Sequence, residues 1–126
     1  MEIRPFVNFT NHPSDLWGEC QREQAEIYGE VVDIPFPQVF PNADEREIIN
    51  LARLYAEKIS KTNPAAVLCQ GEYSLCFAVS NLLIDKGIIV LFACSKRQTN
   101  EKTTSEGRTQ KASQYEFVRF RQYEKK

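Results

Sequence analysis

Three short runs limit what this chain can become. Ile3 to Phe9, Ala65 to Cys69 and Ile88 to Cys94 are apolar and too brief for core helices. They read as strands buried on both faces. Between them lie segments with helical spacing, such as Ile48, Ile49, Leu51, Ala52, Tyr55, Ala56 and Ile59. Strands buried on both faces alternating with helices imply an α/β fold with a mainly parallel sheet and right-handed crossovers. A short β-branched run from Val31 to Ile34 adds another strand, which Pro35-Phe36-Pro37 ends because two prolines cannot continue a central ladder.

The helices have readable ends. Ser14 is placed to cap a helix carrying Leu16, Trp17, Cys20, Ala25 and Ile27 inward, with Gly29 as its stop. Pro41-Asn42-Ala43-Asp44 opens the next, which Asn63-Pro64 breaks. Tyr73 to Asp85 reads as a third, stopped by Gly87. The expected fold class is a Rossmann-like three-layer sandwich with strand order about 2-1-3-4. It closes with a C-terminal antiparallel β-hairpin over residues 96–121. Ser95 to Ser113 is polar and poor in core residues, so the hairpin is expected to have a mobile tip, disordered from about Asn100 to Ser113. The whole chain, 1–126, reads as one domain.

With 42 % hydrophobic and 26 % charged residues, the composition is that of an ordinary soluble domain. A net charge of -1 denies it the footprint of a duplex-binding protein. The N-terminus does not read as a secretory signal and no stretch has the length of a membrane span, so a cytoplasmic location away from the membrane is expected. Cys20, Cys69, Cys76 and Cys94 have no Cys-x-x-Cys spacing and read as free thiols. With one histidine, no metal site and no cofactor are expected. The chain has no G-x-G-x-x-G after the first strand, no Walker-type G-K-[ST] and no G-x-S-x-G. A dinucleotide dehydrogenase, a P-loop enzyme and a serine hydrolase are therefore disfavoured.

In the expected order the first and third strands are neighbours at the point where the strand order reverses, and ligands bind doubly wound sheets at that point. Two polar loops leave those strands: Asn8-Phe9-Thr10-Asn11-His12-Pro13-Ser14 and Cys69-Gln70-Gly71-Glu72-Tyr73-Ser74. Asn8, Thr10 and Asn11 offer polar groups to a phosphate or ribose. Gln70 suits a base or ribose, Gly71 allows close backbone approach, and Ser74 can donate to an anion. Ser95, Lys96 and Arg97 bring cationic groups to the rim. Each residue has a plainer role open to it. His12 before Pro13 can brace its loop, Thr10 and Asn11 can form a local turn, and Glu72 can serve the helix dipole. Lys96 and Arg97 can be a solvated edge, and Trp17 can be core instead of a stacking platform. The aromatic-basic alternation from Tyr115 to Tyr123 fits an edge strand or a nucleic-acid surface.

The run Phe6 to Ser14 followed by Trp17 resembles the opening of small CRISPR-associated ancillary proteins, which pair a first strand with a Thr/Ser-x-His-Pro loop and an early helix tryptophan. The layout is similar to the CARF domain, a Rossmann-like sensor of cyclic oligoadenylates. The resemblance implies a homodimer with a joint crevice for a cyclic tetra- or hexa-adenylate, acting in type III CRISPR antiviral signalling. It also implies ring-nuclease cleavage without a metal, by attack of a ribose 2′-hydroxyl. Thr10, Asn11 and His12 would then contact the ligand from the first loop, and Gln70, Gly71, Glu72 and Ser74 from the second. His12, Thr10 and Arg97 are the catalytic candidates, with Lys96 or Arg97 stabilising phosphate charge. A non-catalytic sponge stays open. So do a deoxyribosyltransferase-like enzyme with Glu72 as nucleophile beside Asp33 or Asp44, and an interaction module using the hairpin.

Overall fold

A computed structural model describes residues 3–103 and 109–125, with side chains over 3–97 and 115–125. β1 (Phe6–Phe9) is buried at every residue, as a strand covered on both faces must be. Both its neighbours are parallel. β2 (Val31–Asp33) pairs in register from Phe6↔Val31 to Asn8↔Asp33, and β3 (Ala66–Cys69) from Phe6↔Ala66 to Phe9↔Cys69. β4 (Val90–Thr103) joins β3 in parallel at Val67↔Val90 and Leu68↔Leu91. It then runs antiparallel to β5 (Thr109–Gln122) out to Thr103↔Thr109. The strands lie in the order β2-β1-β3-β4-β5.

Alternation along the strands divides the core between the two faces. Val7, Phe9, Val67, Cys69 and Val90 face α2 (Glu45–Ser60) and α3 (Tyr73–Asp85). Phe6, Ala66, Leu68 and Leu91 face α1 (Glu19–Glu26) and β5. Each face has an aromatic centre. Phe9 sits 4.8 Å from Phe36 and 5.2 Å from Tyr55 between ring centroids. Phe6 meets Trp17 edge-on at 6.2 Å and Phe120 at 5.3 Å. Such ring pairs add about 0.5–1.5 kcal/mol beyond the area they bury.

The longer helices begin on charged caps. The Asp44 carboxylate accepts the Glu47 N–H at 2.9 Å, with Glu47 in the first turn of α2. The Glu72 carboxylate accepts the Ser74 N–H at 3.1 Å and the Leu75 N–H at 2.9 Å, satisfying two orphan donors of α3. The Leu75 N–H above all, then the Ser74 hydroxyl, holds the Glu72 carboxyl below its ordinary range.

One expectation needs correction. The first helix is not continuous from Ser14: a 3₁₀ turn spans Ser14–Leu16, and α1 starts at Glu19 behind Gly18. Ser14 caps nothing: it is the first residue of the 3₁₀ turn, its N–H donating to Asp33 Oδ2 at 3.1 Å, and the cap position of α1 falls to Gly18. Of the expected inward face only Ala25 is buried, while Leu16 and Ile27 are 78 % and 82 % exposed and Cys20 is exposed. The start of α1 stands off the sheet over a crevice, so little apolar surface is there to bury it. The expected C-terminal hairpin is present, its ladder running out to Thr103↔Thr109, and residues 104–108 of the expected mobile tip lie outside the described residues.

The β4–β5 ladder slips register between Cys94 and Ser95, which pair with Arg119 and Phe117 and leave Val118 as the extra residue of a bulge. The slip puts Phe117 on the same face as Phe120, with ring centroids 4.9 Å apart.

At Gly29 an added Cβ would overlap the Arg4 carbonyl oxygen, where the chain passes under the start of β1. Gly29→Ala should therefore destabilise the fold by about 1–3 kcal/mol in urea titration. Gly18→Ala, with nothing within 4 Å of its Cβ, should cost clearly less. Glu72→Ala should cost about 1 kcal/mol at neutral pH through the lost cap. Because the folded state lowers the Glu72 pKa, that stability is present above the ordinary carboxylate range and is lost as pH falls through the folded value. The gap between wild type and variant should accordingly narrow in acid.

Candidate functional site

The first loop is built by a buried amide. Asn8 is 2 % exposed, on the same face of β1 as Phe6. Its Nδ2 donates to the His12 carbonyl at 2.9 Å and to Asp33 Oδ1 at 3.1 Å. Its Oδ1 accepts from the Thr10 hydroxyl at 2.8 Å, and that hydroxyl accepts the His12 N–H at 3.0 Å. Asp33 completes the network through the Ser14 N–H. Asn8, Thr10 and Asp33 therefore spend their polar groups on holding the loop. What the network presents is His12, with its backbone fixed and its side chain exposed.

Gln70, just past β3, has its Oε1 held by the Ala93 N–H at 2.9 Å. Its amide NH₂ has no partner among the described residues. His12, Thr10, Gln70 and Ser95 line one crevice of about 710 Å³, at the carboxyl ends of β1 and β3 and beside β4. The remaining walls come from Leu16 to Gln21, Leu68 and Ala93, and from Tyr115, Glu116 and Phe117 of β5. Trp17 belongs to this wall while its ring packs against Phe6, so it serves as core and lining together.

Several expected site residues stand elsewhere, each for a packing reason. The Phe36 ring fills the space over Gly71, 2.6 Å from where a Cβ would be, so no ligand approaches that backbone from this side. Glu72 and Ser74 are bound to each other, Ser74 Oγ donating to the carboxylate at 2.7 Å, at the exposed start of α3. Neither they nor Asn11 lines the crevice. Lys96 alternates away from Ser95 along β4, and Arg97 lies a step further out; both are exposed and outside the lining. Among the described residues, the charged side chains that line it are Glu19 and Glu116. The rim thus carries, among the described residues, carboxylates where cations were expected.

Sequence reasoning passed over Glu19, Gln21 and Glu116, and it read the Tyr115 to Tyr123 aromatics as an edge strand or nucleic-acid surface without placing them as a wall of this crevice. A signal for that wall was available: apolar residues fall at 115 and 117, then at 118 and 120, a change of phase that marks the bulge. Glu19 and Gln21 carried no such mark. Chemically the crevice offers aromatic faces for a planar ring, an amide donor, a hydroxyl, an imidazole and carboxylates. Among the described residues, no three His, Cys, Asp or Glu side chains are grouped to hold a metal ion. No helix among them is long and apolar enough to cross a membrane.

A search of curated proteins and one of solved structures return no match to this chain. A family match extends from residue 4 to residue 121, nearly the whole sheet with its helices, and the chain belongs to the Uncharacterized protein MJ1673 family.

Proposed function

We propose that the protein binds a cyclic oligoadenylate in this crevice, as one half of a site that a second copy completes. The reading rests on one observation: His12 and Gln70, from loops far apart in sequence, line the same space as Trp17 and Tyr115. A doubly wound, Rossmann-like sandwich places its ligand at such a position, and a CARF-like domain does so for adenylates. Tyr115, 72 % exposed, suits stacking of an adenine, and the Gln70 NH₂ suits a base or ribose acceptor. An open crevice with Leu16 and Tyr115 exposed on its walls also fits closure by a second protomer.

Cleavage is the part of the reading that falls to His12. Attack of a ribose 2′-oxygen on the adjacent phosphorus forms one P–O bond and breaks the bond to the 5′-oxygen, leaving a 2′,3′-cyclic phosphate. His12 would protonate the departing oxygen, and Glu19 would take the 2′-hydroxyl proton. Thr10 and Arg97 have no part in this version, one being committed to the loop and the other lying off the crevice. The deoxyribosyltransferase-like alternative loses its support, because Glu72, Asp33 and Asp44 are each engaged in capping or loop bonds.

Incubation with labelled cyclic tetra- and hexa-adenylate tests both halves. Retention with linear product is the expected result, retention without product leaves a sponge, and the absence of both overturns the proposal. Tyr115→Ala should weaken binding by roughly tenfold or more, from the loss of about 1–3 kcal/mol of stacking, with little effect on folding. His12→Ala should abolish linear product while binding persists. Because no lysine or arginine among the described residues lines the crevice, affinity should fall only shallowly with added salt.

A further inference from the structure

The opposite face of the sheet carries a second chemical feature, unrelated to the crevice. Cys69 ends β3 and Cys76 lies in the first turn of α3, and their sulfurs are 3.5 Å apart. The short connection between them is held at both ends: Phe36 packs over Gly71, and Glu72 caps the helix. Closing a disulfide to about 2.05 Å requires a movement of only about 1.5 Å.

The two thiols differ in access. Cys69 is fully buried, whereas Cys76 is 8 % exposed and borders a groove of about 510 Å³ that also takes in Tyr73, Phe77, Ser80 and Tyr123. Tyr73 and Phe77 are 91 % and 72 % exposed, which makes the mouth apolar and aromatic. Ser80 Oγ is buried with no hydrogen-bond partner, an uncommon state for a hydroxyl. Ser80 stands one turn along α3 from Cys76 and lines the same groove, with a proton to give if Cys76 becomes a thiolate. The Cys69 thiol above all brings the Cys76 thiol down to about 7 against the opposing effect of burial, while Cys69 is pushed up. The first turn of a helix further favours a thiolate there.

We propose that Cys69 and Cys76 form a redox dithiol in which Cys76 meets an organic hydroperoxide at the aromatic mouth and Cys69 resolves the product. The Cys76 thiolate attacks the terminal peroxide oxygen; an S–O bond forms, the O–O bond breaks, and the alcohol leaves with a proton. The Cys69 sulfur then attacks the sulfenic sulfur. An S–S bond forms, the S–O bond breaks, and hydroxide departs as water with the Cys69 proton. Two thiols and one hydroperoxide become a disulfide, an alcohol and water.

The test uses the full chain with Cys20→Ser and Cys94→Ser, so that this pair holds the remaining thiols. After limiting cumene hydroperoxide, denaturing alkylation and intact-mass measurement should show a loss of two hydrogens, no alkylation, and recovery with dithiothreitol. Adding Cys69→Ser should stop the reaction at a sulfenic acid trapped by dimedone, and adding Cys76→Ser should leave Cys69 alkylatable. Tyr123→Phe should slow oxidation several-fold, which keeps the proposal testable if a cysteine variant does not fold. The dithiol is overturned if both thiols remain alkylatable at the dose that oxidises Cys20 in wild type, or if the disulfide links two copies. Equal rates with hydrogen peroxide and cumene hydroperoxide would overturn the role of the aromatic mouth.

Discussion

The side chain of Asn8 sets more of this structure than any other single group. It stands among Phe6, Val7 and Phe9 in a strand with no solvent on either face. An amide buried there without partners would cost about 1–3 kcal/mol for each group left unpaired. The partners come from Asp33 across the ladder and from the Thr10–His12 backbone and hydroxyl. Satisfying one buried residue thus fixes the register of β2 on β1 and the path of the loop after β1. It also fixes the place from which His12 faces the crevice.

This dependence explains what could be read from the sequence and what could not. Strand β3 and helices α2 and α3 were legible because their signals are local: an apolar run, a 3.6-residue period, and the Pro41-Asn42-Ala43-Asp44 opening. The start of α1 was not: Ser14 looks like a cap, but it lies inside a 3₁₀ turn tied to Asp33 of another strand, and α1 begins only behind Gly18. The site divides the same way. That two loops meet was implied by the alternation of strands and helices. Which residues of each loop face inward was decided by Phe36 over Gly71 and by the capping geometry of Glu72, neither of which a linear pattern records.

The β3–α3 connection is shared by both chemical features. Cys69 belongs to the face packed on α2 and α3, whereas Gln70, the next residue, lines the crevice on the α1 side. Gln70 is bonded to the Ala93 N–H, and Cys69 touches Cys76. A change of bonding at either sulfur therefore acts on a backbone segment that also positions the amide in the crevice. The two faces are chemically separate but mechanically adjacent.

The β4–β5 hairpin also has a mechanical meaning. Its ladder continues from the bulge to Thr103↔Thr109, while β3 pairs with β4 at Val67 and Leu68. Beyond the bulge, a stretch of about 30 Å, at roughly 3.4 Å per residue, is a two-stranded ribbon with no third strand among the described residues. Its root is Ser95, Tyr115 and Phe117, which are also walls of the crevice. Such a ribbon is a lever. Force applied at its far end is delivered, with mechanical advantage, to the residues that would close on a ligand.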